Sequence, residues 1–385
     1  MQFVLVDQPD SVHFYPFSLT RSLTELRVGI FTIKERWDDL LNTECEIFTR
    51  PYLQGLYEVS FLHGEHAVVY LNATCVPDES IKKALFNLKE GASLLDEDGK
   101  WIASYSKERS IGKILLGDPN FKQCIPAKFI KNAMHLLQLN AELIQSDFKQ
   151  VKAKGSPIEV DGSNRLICPE NIFVDQGAVL SGVSLNASDG PIYIGKNALL
   201  MEGVAIRGPF VMGEKSVVKM NASIYGATSI GPYCTIGGEI KNSILMGYSN
   251  KAHEGYLGDS IIGQWCNVGA GTSNSNVKNT AGPIQIWNEH QKSWDTVGNK
   301  MGMLVGDYTR FAIQSSINTG SYVGISSNIY GNGLLPKMIP NFSWGITKGY
   351  VLEKAIEDIQ NWKKMKGFQI LDAEKEVLTA LFHME

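Results

Sequence analysis

Apolar residues recur at every sixth position along the middle of the chain. The segments Ile194–Leu199, Met212–Val217 and Ile230–Thr235 show the unit best, with an apolar residue, a glycine and, at the fifth position, a small residue. The same spacing of six returns at Ile262 and Val268. The repeat consists of the eight consecutive positions Ile194, Leu200, Ile206, Met212, Val218, Ile224, Ile230 and Ile236, followed later by Val305, Phe311, Ile317, Val323 and Ile329.

This spacing predicts short strands rather than a helix. In an α-helix, six residues turn about 600°, so an apolar stripe with this period would move around the helix. Six is a multiple of two, so every repeat places its apolar residue on the same side of a strand. Three hexads form one triangular coil of a parallel β-helix, with apolar residues inside and small residues at the corners. Glycine at the second position, as at Gly195, tolerates a tight backbone there. A β-sandwich with chance spacing is the alternative, and eight consecutive matches followed by five more disfavour it.

Residues 1–155 follow another pattern, in which short apolar runs alternate with helical stretches. Phe3–Val6, Cys45–Phe48 and Ala67–Leu71 are typical of strands, whereas Ser22–Leu41 and Ser80–Leu88 are typical of helices. This order predicts an α/β, Rossmann-like domain with a mainly parallel sheet.

The domain boundaries follow from where these patterns stop. A helical pattern from Pro126 to Lys154 ends at the Gly-Ser-Pro sequence of residues 155–157, which is typical of a linker. We therefore predict an α/β domain over residues 1–155 and a β-helix over residues 156–340. Residues 341–385 predict a helical extension, with helices near Leu352–Lys366 and Asp372–His383 and with Asp372 as the N-cap of the second.

Composition and charge narrow the possible partners and compartment. The chain has 385 residues and a net charge of −4, which gives no electrostatic reason to expect nucleic acid or an anionic membrane as a partner. It has no long apolar run, and its first residues lack the basic region of a signal peptide. The six cysteines form no C-x-x-C pair, and Cys234 and Cys266 fall on inward corner positions of the hexads. We therefore expect a cytoplasmic protein without membrane insertion and with free, buried thiols.

The repeat loses its phase from Asn242 to Glu254 and again in a long insertion from Ser273 to Met303. Insertions in a solenoid form loops on one face, often the binding face. Near the first irregularity, His253 occurs beside polar residues and glycine-rich backbone, a combination that suits acyl transfer. The acceptor must lose a proton during attack, which a His can take, and the oxyanion needs donors such as backbone N–H groups. A lone His is nevertheless more often structural.

The stretch from Glu239 to Asn276 resembles the acetyltransferase domain of the bifunctional N-acetylglucosamine-1-phosphate uridylyltransferase/glucosamine-1-phosphate acetyltransferase family. The resemblance rests on E-x-K at residues 239–241, on a His three residues before Y-L-G-D at residues 256–259, and on N-x-G-A-G-T at residues 267–272. It implies a left-handed β-helix of hexapeptide repeats, a homotrimer, and acetyl-CoA bound between neighbouring subunits.

The same resemblance implies roles for single residues. His253 would be the general base and, with Asn276, would form the catalytic pair. Ala270 and Gly271 would contact acetyl-CoA. Four residues would bind the acceptor, a sugar phosphate or nucleotide sugar: Glu239, Lys241, Tyr256 and Asn267. The implied function is acetyl-CoA-dependent acyl transfer to an amino sugar phosphate or nucleotide-linked sugar, in the synthesis of cell-envelope or surface-polysaccharide precursors.

The chain also departs from the family's pattern. Val277 follows the second Asn where the family has Tyr. The family's phosphate-binding Arg has no clear counterpart, and only Arg207 and Lys219 lie near it in the repeat. The acceptor's identity, N- versus O-acylation and the acyl group therefore stay open, and a sugar-nucleotide sensor without enzymatic activity is a further alternative.

The sequence from Tyr15 to Arg21 resembles a degenerate form of the R-x-x-P-L-T signature of sugar nucleotidyltransferases. Working enzymes of that family place a glycine-rich phosphate loop after the first strand, whereas residues 7–13 contain no glycine. One alternative is an active sugar-1-phosphate nucleotidyltransferase, with Mg²⁺ and with Arg21, Arg27 or Lys34 on the phosphates. The other, which we favour, is a domain that has kept its fold and lost catalysis.

Two remaining motifs predict no further site. His63 and His66 are a weak metal pattern, because no third ligand occurs at a useful spacing. We therefore predict a surface loop there and no metal site. Trp287, Trp294 and Trp344 could stack on a sugar or base, but we expect the two in the insertion to pack against their own segment.

Overall fold

The computed structural model describes residues 1–7, 9–60, 66–107, 122–155, 157 and 160–384. The chain forms two compact units. The first consists of Met1–Phe14, Arg21–Leu26 and Phe31–Asn132, and the second of Tyr15–Thr20, Arg27–Ile30 and Ala133–Glu385. The helix that ends the predicted first domain, Ala133–Lys154, thus groups with the second unit. His63 and Ser156, which belong to the predicted loop and linker, lie outside the described residues.

The first unit has the α/β class that the sequence predicts, with a mixed rather than mainly parallel sheet. Its first strand pairs in parallel with two neighbours, but the fourth strand of the sheet pairs antiparallel on both sides. In sheet order the strands are Glu46–Phe48, Phe3–Val6, Val68–Asn72, Trp101–Ser106, Ser93–Leu95 and Lys122–Cys124, and Cys75–Val76 pairs separately with Lys128–Phe129.

Among its described residues, the first unit has the α-helices Ile33–Leu41, Pro51–Gln54 and Glu79–Phe86. The first begins later than the predicted Ser22. Thr32 accepts a hydrogen bond from the Glu35 N–H, and the Glu35 carboxylate accepts one from the Thr32 N–H. This capping box starts the helix at Ile33. The residues from Ser22 to Thr32 instead form the 3-10 turn Leu23–Glu25 and the short strands Arg27–Val28 and Phe31–Thr32.

The second unit contains the predicted β-helix, a parallel solenoid with three faces. Successive strands on each face pair in parallel and in register, as in Ala205↔Ser223. The six-stranded face consists of Arg165–Ile167, Ser184–Asn186, Ala205–Arg207, Ser223–Tyr225, Glu239–Lys241 and Tyr256–Gly258. The nine-stranded face consists of Ile172–Val174, Ile192–Ile194, Phe210–Met212, Thr228–Ile230, Ile244–Gly247, Ile261–Gln264, Met303–Val305, Ser321–Val323 and Met338–Ile339. The ten-stranded face consists of Val179–Leu180, Leu199–Leu200, Val217–Val218, Thr235–Ile236, Asn250–Lys251, Asn267–Val268, Arg310–Phe311, Asn328–Ile329, Ser343–Trp344 and the antiparallel edge Thr347–Lys348.

The hexad positions form the core of the solenoid. The eight consecutive apolar residues from Ile194 to Ile236 are at most 2% exposed. The glycines at the second hexad position allow coils to stack closely, since a Cβ on Gly195 would lie 2.7 Å from the Met212 carbonyl oxygen. The prediction of a β-helix and the reason given for these glycines are therefore confirmed.

The loss of phase after Asn242 has a simple structural cause. The solenoid continues there without a break, because Ile244–Gly247 and Asn250–Lys251 pair in register with the coils on both sides. Glu239 pairs with Ser223 before it and with Tyr256 after it, so these coils are shorter than three hexads. The predicted loss of phase is therefore a change of spacing within a continuous solenoid.

The long insertion leaves the solenoid after the strand Ser273–Asn274, which pairs with Ser316–Ile317. It contains an antiparallel hairpin of Gln285–Asn288 and Ser293–Thr296. Trp287 and Trp294 meet edge to face across this hairpin, with ring centroids 5.4 Å apart. The two tryptophans thus pack against each other, as predicted.

The chain ends in the helices Leu352–Met365 and Asp372–His383. Leu371, not Asp372, is the N-cap residue of the last helix, because the Glu374 carboxylate accepts the Leu371 N–H at 2.8 Å. Between the helices, Phe368 packs edge to face against stacked aromatic rings on one corner of the solenoid. That aromatic stack consists of Tyr233, Tyr248 and Trp265.

Candidate functional site

Polar side chains gather at the end of the six-stranded face. Glu239 pairs with Ser223 and Tyr256, so these three residues form one outward row across neighbouring strands. Lys241 pairs with Tyr225 in the next outward row. Ile240, between Glu239 and Lys241, is fully buried in the core. The alternation of strand side chains therefore places both residues of the E-x-K motif on the same outer surface.

Tyr225 connects the two members of the motif. Its hydroxyl donates to the Glu239 carboxylate, and the Lys241 ammonium lies 5.8 Å from the centre of its ring. The hydrogen bond to Glu239 raises the pKa of the Tyr225 phenol. These contacts hold a carboxylate and an ammonium close together on an exposed face, where they could bind a ligand with both an amine and an anionic group.

Tyr256 is fixed by the beginning of the insertion. The Asn276 amide donates to the Tyr256 hydroxyl at 3.0 Å and to the Asp259 carboxylate at 2.5 Å. The other oxygen of Asp259 accepts from the Asn242 amide at 2.7 Å. Burial, followed by the nearby Asp259 charge, raises the pKa of the Tyr256 phenol to about 12. Tyr256 therefore stays protonated near neutral pH and can donate a hydrogen bond to a ligand.

We call Glu239, Lys241, Tyr256 and Asn276 the polar surface. The structure brings these four predicted residues together on strands Glu239–Lys241 and Tyr256–Gly258 and the start of the insertion. The Asn276 amide group is already used inside the chain, so only its oxygen is left for a ligand.

His253 lies on the turn of residues 252–255, at the corner that leads into this face. We call these residues the His253 turn. Its imidazole is exposed, and it forms no hydrogen bond or ion pair with any residue that the structure describes. The backbone, in contrast, is tightly held. The Glu254 carbonyl accepts from the Gly271 N–H at 3.0 Å, and the Gly255 carbonyl accepts from the Glu239 N–H at 3.2 Å. The imidazole therefore projects into solvent from a fixed turn.

Ala270 and Gly271 occupy the same corner one coil later. The N–H groups of Gly269 and Gly271 donate to the carbonyls of Phe311 and Glu254, at 3.1 and 3.0 Å. The Ala270 N–H meets no acceptor among the residues that the structure describes. Ala270 is only half-buried. A backbone donor is thus open on the coil next to His253.

Asn267 lies apart from the polar surface. It belongs to the ten-stranded face, where it pairs with Asn250 and accepts a hydrogen bond from that side chain at 3.4 Å. The structure therefore places Asn267 and Tyr256, which were predicted to share a site, on different faces of the solenoid.

The two candidates for a phosphate-binding cation lie in different places. Arg207 is on the six-stranded face and forms an exposed ion pair with Asp189 at 3.0 Å. Lys219 is exposed at the His253 corner, where its Cβ lies 3.2 Å from the place of a Cβ on Gly237. The outward position next to Glu239 on the preceding coil is occupied by Ser223, not by an Arg or a Lys. Of the two candidates, Lys219 is therefore the one beside the His253 turn.

The cationic side chains that the sequence suggested for phosphate binding are buried or ion-paired. Arg21 is 3% exposed, and Lys34 pairs with Asp38 at 2.6 Å. Arg27, which groups with the second unit, is 8% exposed and donates to the Ile30 carbonyl. Among the described residues, no three His, Cys, Asp or Glu side chains converge as a metal site. None of the helices in the described ranges is long and apolar enough to span a membrane.

Three residues of this region were not predicted from the sequence. Asp259 fixes Asn242 and Asn276, Tyr225 fixes Glu239, and Lys251 is buried beneath the His253 turn. Asp259 is the last residue of the Y-L-G-D motif, so it could have been identified from the sequence. The contacts of Tyr225 and Lys251 depend on the shortened coils, which the hexad period alone does not predict.

Comparison with known proteins gives matches over both parts of the chain. Residues 3–155 match the family of sugar nucleotidyl transferases. The bifunctional protein GlmU of Thermodesulfovibrio yellowstonii is 27% identical over 232 residues, which cover 56% of this chain and 43% of that protein. GlmU of Methanococcus vannielii is 31% identical over 150 residues, which cover 39% of this chain and 34% of that protein.

A third relative, GlmU of Bordetella parapertussis, is 28% identical over 148 residues, which cover 35% of this chain and 32% of that protein. The chain thus spans less than half the length of these relatives. The resemblance to the GlmU family, proposed from the motifs, is confirmed, as is the fold class of a nucleotidyltransferase-like domain followed by a β-solenoid.

Proposed function

We propose that this protein transfers an acetyl group from acetyl-CoA to an amino sugar phosphate or a nucleotide-linked amino sugar. Its resemblance to GlmU proteins supports a role in the metabolism of amino sugar nucleotides. The proposal rests on the imidazole of His253. It is exposed, forms no hydrogen bond with a described residue, and lies on a turn that the neighbouring coils hold in place.

In this reaction the acceptor amine attacks the thioester carbonyl carbon. His253 takes the proton that the amine loses, and the carbonyl oxygen becomes an oxyanion. The carbon–sulfur bond then breaks, coenzyme A leaves, and the imidazolium returns the proton to its sulfur. The net products are an amide and the free thiol. The same balance holds for an acceptor hydroxyl, with an ester as the product.

The surrounding groups divide into two sets in this proposal. The open N–H of Ala270, one coil from His253, would bind the donor side of the reaction or the oxyanion. The polar surface would bind the acceptor, with the carboxylate of Glu239 on an amine, the ammonium of Lys241 on a phosphate and the Tyr256 hydroxyl donating to a sugar oxygen.

The position of Asn267 supports a site that needs two copies of the chain. It lies on the ten-stranded face, away from the polar surface of its own chain. A homotrimer, in which the ten-stranded face of one copy meets the His253 corner of the next, would bring Asn267 to an acceptor. Sedimentation at several protein concentrations tests this part of the proposal.

The catalytic part is tested by mass spectrometry of the products. The purified chain is incubated with acetyl-CoA and a panel containing glucosamine-1-phosphate and UDP-linked amino sugars. We expect acetylation of one class, and we expect His253→Ala to lower kcat at least 10²-fold with unchanged melting. His290→Ala, an exposed histidine on the insertion, is the matched control. Full activity of His253→Ala would reject the assignment of the base.

A second candidate function is nucleotidyl transfer by the first unit, which the family match over residues 3–155 favours. The residue that follows the first strand, Asp7, does not suit nucleotidyl transfer. Asp7 is 1% exposed and accepts hydrogen bonds from the Leu23 N–H at 3.2 Å and the Thr49 hydroxyl at 2.8 Å. Burial raises the pKa of this carboxyl despite the nearby Arg50. The position thus has a buried side chain that is held inside the protein, whereas working enzymes offer glycine backbone that a triphosphate can approach closely.

We therefore propose that the first unit does not catalyse nucleotidyl transfer. Pyrophosphate release from each nucleoside triphosphate with Mg²⁺ and sugar-1-phosphates is the test. We expect no release above the level without protein. Release that depends on one sugar phosphate would establish the nucleotidyltransferase instead.

A further inference from the structure

Lys251 occupies a place where the solenoid has an apolar residue on the neighbouring coils. It pairs with Ile236 on the preceding strand, and the following strand continues with Val268 at the same inward level. Ile236 and Val268 are 0% and 3% exposed and belong to the core, and Lys251 is 1% exposed. A lysine is almost never so buried without a specific partner, because its ammonium loses hydration.

The Lys251 ammonium has main-chain partners instead of a carboxylate. It donates to the Gly237 carbonyl at 3.4 Å and to the His253 carbonyl. Within the described ranges, no Asp or Glu oxygen lies within 4 Å of it, and Glu254 acts on it only from farther away. Burial lowers the pKa of Lys251 to about 8. This buried cation thus bridges the Gly237 carbonyl of the preceding coil and the His253 carbonyl of its own coil, and the second of these belongs to the turn of the catalytic candidate.

The His253 turn is held from three directions. A Cβ on Gly238 of the preceding coil would lie 2.8 Å from the His253 carbonyl oxygen, so the backbones are in close contact. On the following coil, the Gly271 N–H donates to the Glu254 carbonyl at 3.0 Å. Lys251 holds the His253 carbonyl from inside the solenoid. With the carbonyl held inward, the imidazole on the same residue projects outward.

We propose that Lys251 is a positioning residue, which fixes the backbone of His253 from within the core so that the imidazole meets the acceptor in the proposed acyl transfer. The inference rests on the function proposed above. Lys251 itself touches no substrate. Its effect is to keep the base in one place while both substrates approach, and a displacement of about 1 Å can cost on the order of 10² in rate.

Lys251→Met separates positioning from folding. Methionine has nearly the length of lysine, is apolar, and suits a core of apolar residues. Exchanging a buried charge for an apolar side chain is often neutral or stabilising, so we expect the variant to fold. Ile236→Met, at the same inward position one coil earlier, is the matched control.

The first readout does not depend on activity. Hydrogen–deuterium exchange, followed by mass spectrometry of peptides that cover residues 252–258, measures how firmly the His253 turn is held. We expect exchange at least fivefold faster in Lys251→Met than in Ile236→Met. Equal exchange in the two variants would overturn the positioning role, whether or not the protein proves to be an acetyltransferase.

The second readout is steady-state kinetics of acetyl transfer. We expect Lys251→Met to lower kcat at least tenfold, with the KM of both substrates within about twofold of the unmodified protein, whereas Ile236→Met keeps kcat. An unchanged kcat in Lys251→Met would overturn the proposal. A lack of transfer in the unmodified chain would instead reject the proposed function, while the exchange experiment would still decide whether Lys251 holds the turn.

Discussion

The hydroxyl of Tyr256 lies directly over Gly258, two residues later on the same strand. A Cβ on Gly258 would lie 2.2 Å from the hydroxyl oxygen and 2.5 Å from the ring carbon that bears it. The ring of Tyr256 therefore lies flat along the strand, where Asn276 holds its hydroxyl at 3.0 Å. The glycine of Y-L-G-D is needed for this orientation of the tyrosine.

Gly258→Ala should displace the Tyr256 ring. We expect the KM of the acceptor to rise about tenfold and the free energy of unfolding to fall by about 1–3 kcal/mol, because the added methyl group overlaps the ring. Acceptor kinetics and urea unfolding are the measurements. Gly162→Ala is the control, since the added Cβ there would meet no atom of the described residues within 4 Å. Equal acceptor KM values for the two variants would contradict the prediction.

Asp259→Asn should loosen the start of the insertion. The Asp259 carboxylate accepts from Asn242 at 2.7 Å and from Asn276 at 2.5 Å, and it is 8% exposed. An amide keeps the shape but turns one acceptor into a donor that faces another donor, so we expect a loss of about 1–3 kcal/mol in the free energy of unfolding.

Asp189→Asn is the comparison for this loss, measured by chemical unfolding. Asp189 is exposed, where it pairs with Arg207 and accepts from the hydroxyl of its neighbour Ser188 at 3.2 Å. An exposed ion pair of this kind contributes about 0–1 kcal/mol. A similar small loss in both variants would show that the Asp259 contacts add little.

The buried Lys251 should make stability depend on pH. Its folded-state pKa of about 8 lies below its ordinary value of 10.5, so between these values the unfolded chain binds more protons. Stability should therefore rise with pH from about 8 to 10.5, by on the order of 3 kcal/mol in the limit. The measurement is the free energy of unfolding against pH for the unmodified protein and for Lys251→Met, in which this rise should disappear. A difference between them that stays constant over this range would count against burial of the charge.

Glu374→Gln should weaken the attachment of the last helix. The Lys363 ammonium donates to both oxygens of Glu374, at 2.5 and 2.7 Å, and the Tyr308 hydroxyl donates to one of them at 3.0 Å. Lys363 is 5% exposed and also lies 4.9 Å from the centre of the Trp265 ring. Removal of one partner leaves a buried charge, which costs about 3–5 kcal/mol.

Unfolding followed by tryptophan fluorescence tests this prediction. Lys354→Met is the control, because Lys354 is exposed and pairs only along its own helix. We expect the control to change the free energy of unfolding by less than about 1 kcal/mol. A comparably small effect of Glu374→Gln would show that the pair is not needed for docking.

The repeat could be predicted from sequence because one physical requirement recurs. Each hexad must fill the same inner space, and the residues from Ile194 to Ile236 that satisfy it are all buried. The mixed order of the first sheet could not be predicted in this way. The apolar residues of Trp101–Ser106 and Ser93–Leu95 would give the same sequence pattern in a parallel and in an antiparallel pair. The pattern therefore does not reveal the direction of these strands.

For the candidate site, the sequence motifs identified most of the residues, and the structure showed how these residues are arranged. Alternation along a strand explains why Glu239 and Lys241 share a surface. The separation of Asn267 from that surface follows from the corner between them, which the spacing in sequence does not reveal. Lys251 escaped notice because a lysine in a strand usually faces solvent, and only the register with Ile236 places it inside.

The aromatic stack at the solenoid corner ties distant parts of the chain together. The Lys366 ammonium donates to the Tyr233 carbonyl at 2.7 Å, across 133 residues of sequence. Isolated solenoids contact only adjacent repeats and can fray from either end. Here Lys366 and Phe368 bind coils that come much earlier in the chain, so this long-range attachment can form only after these tail residues have been synthesised.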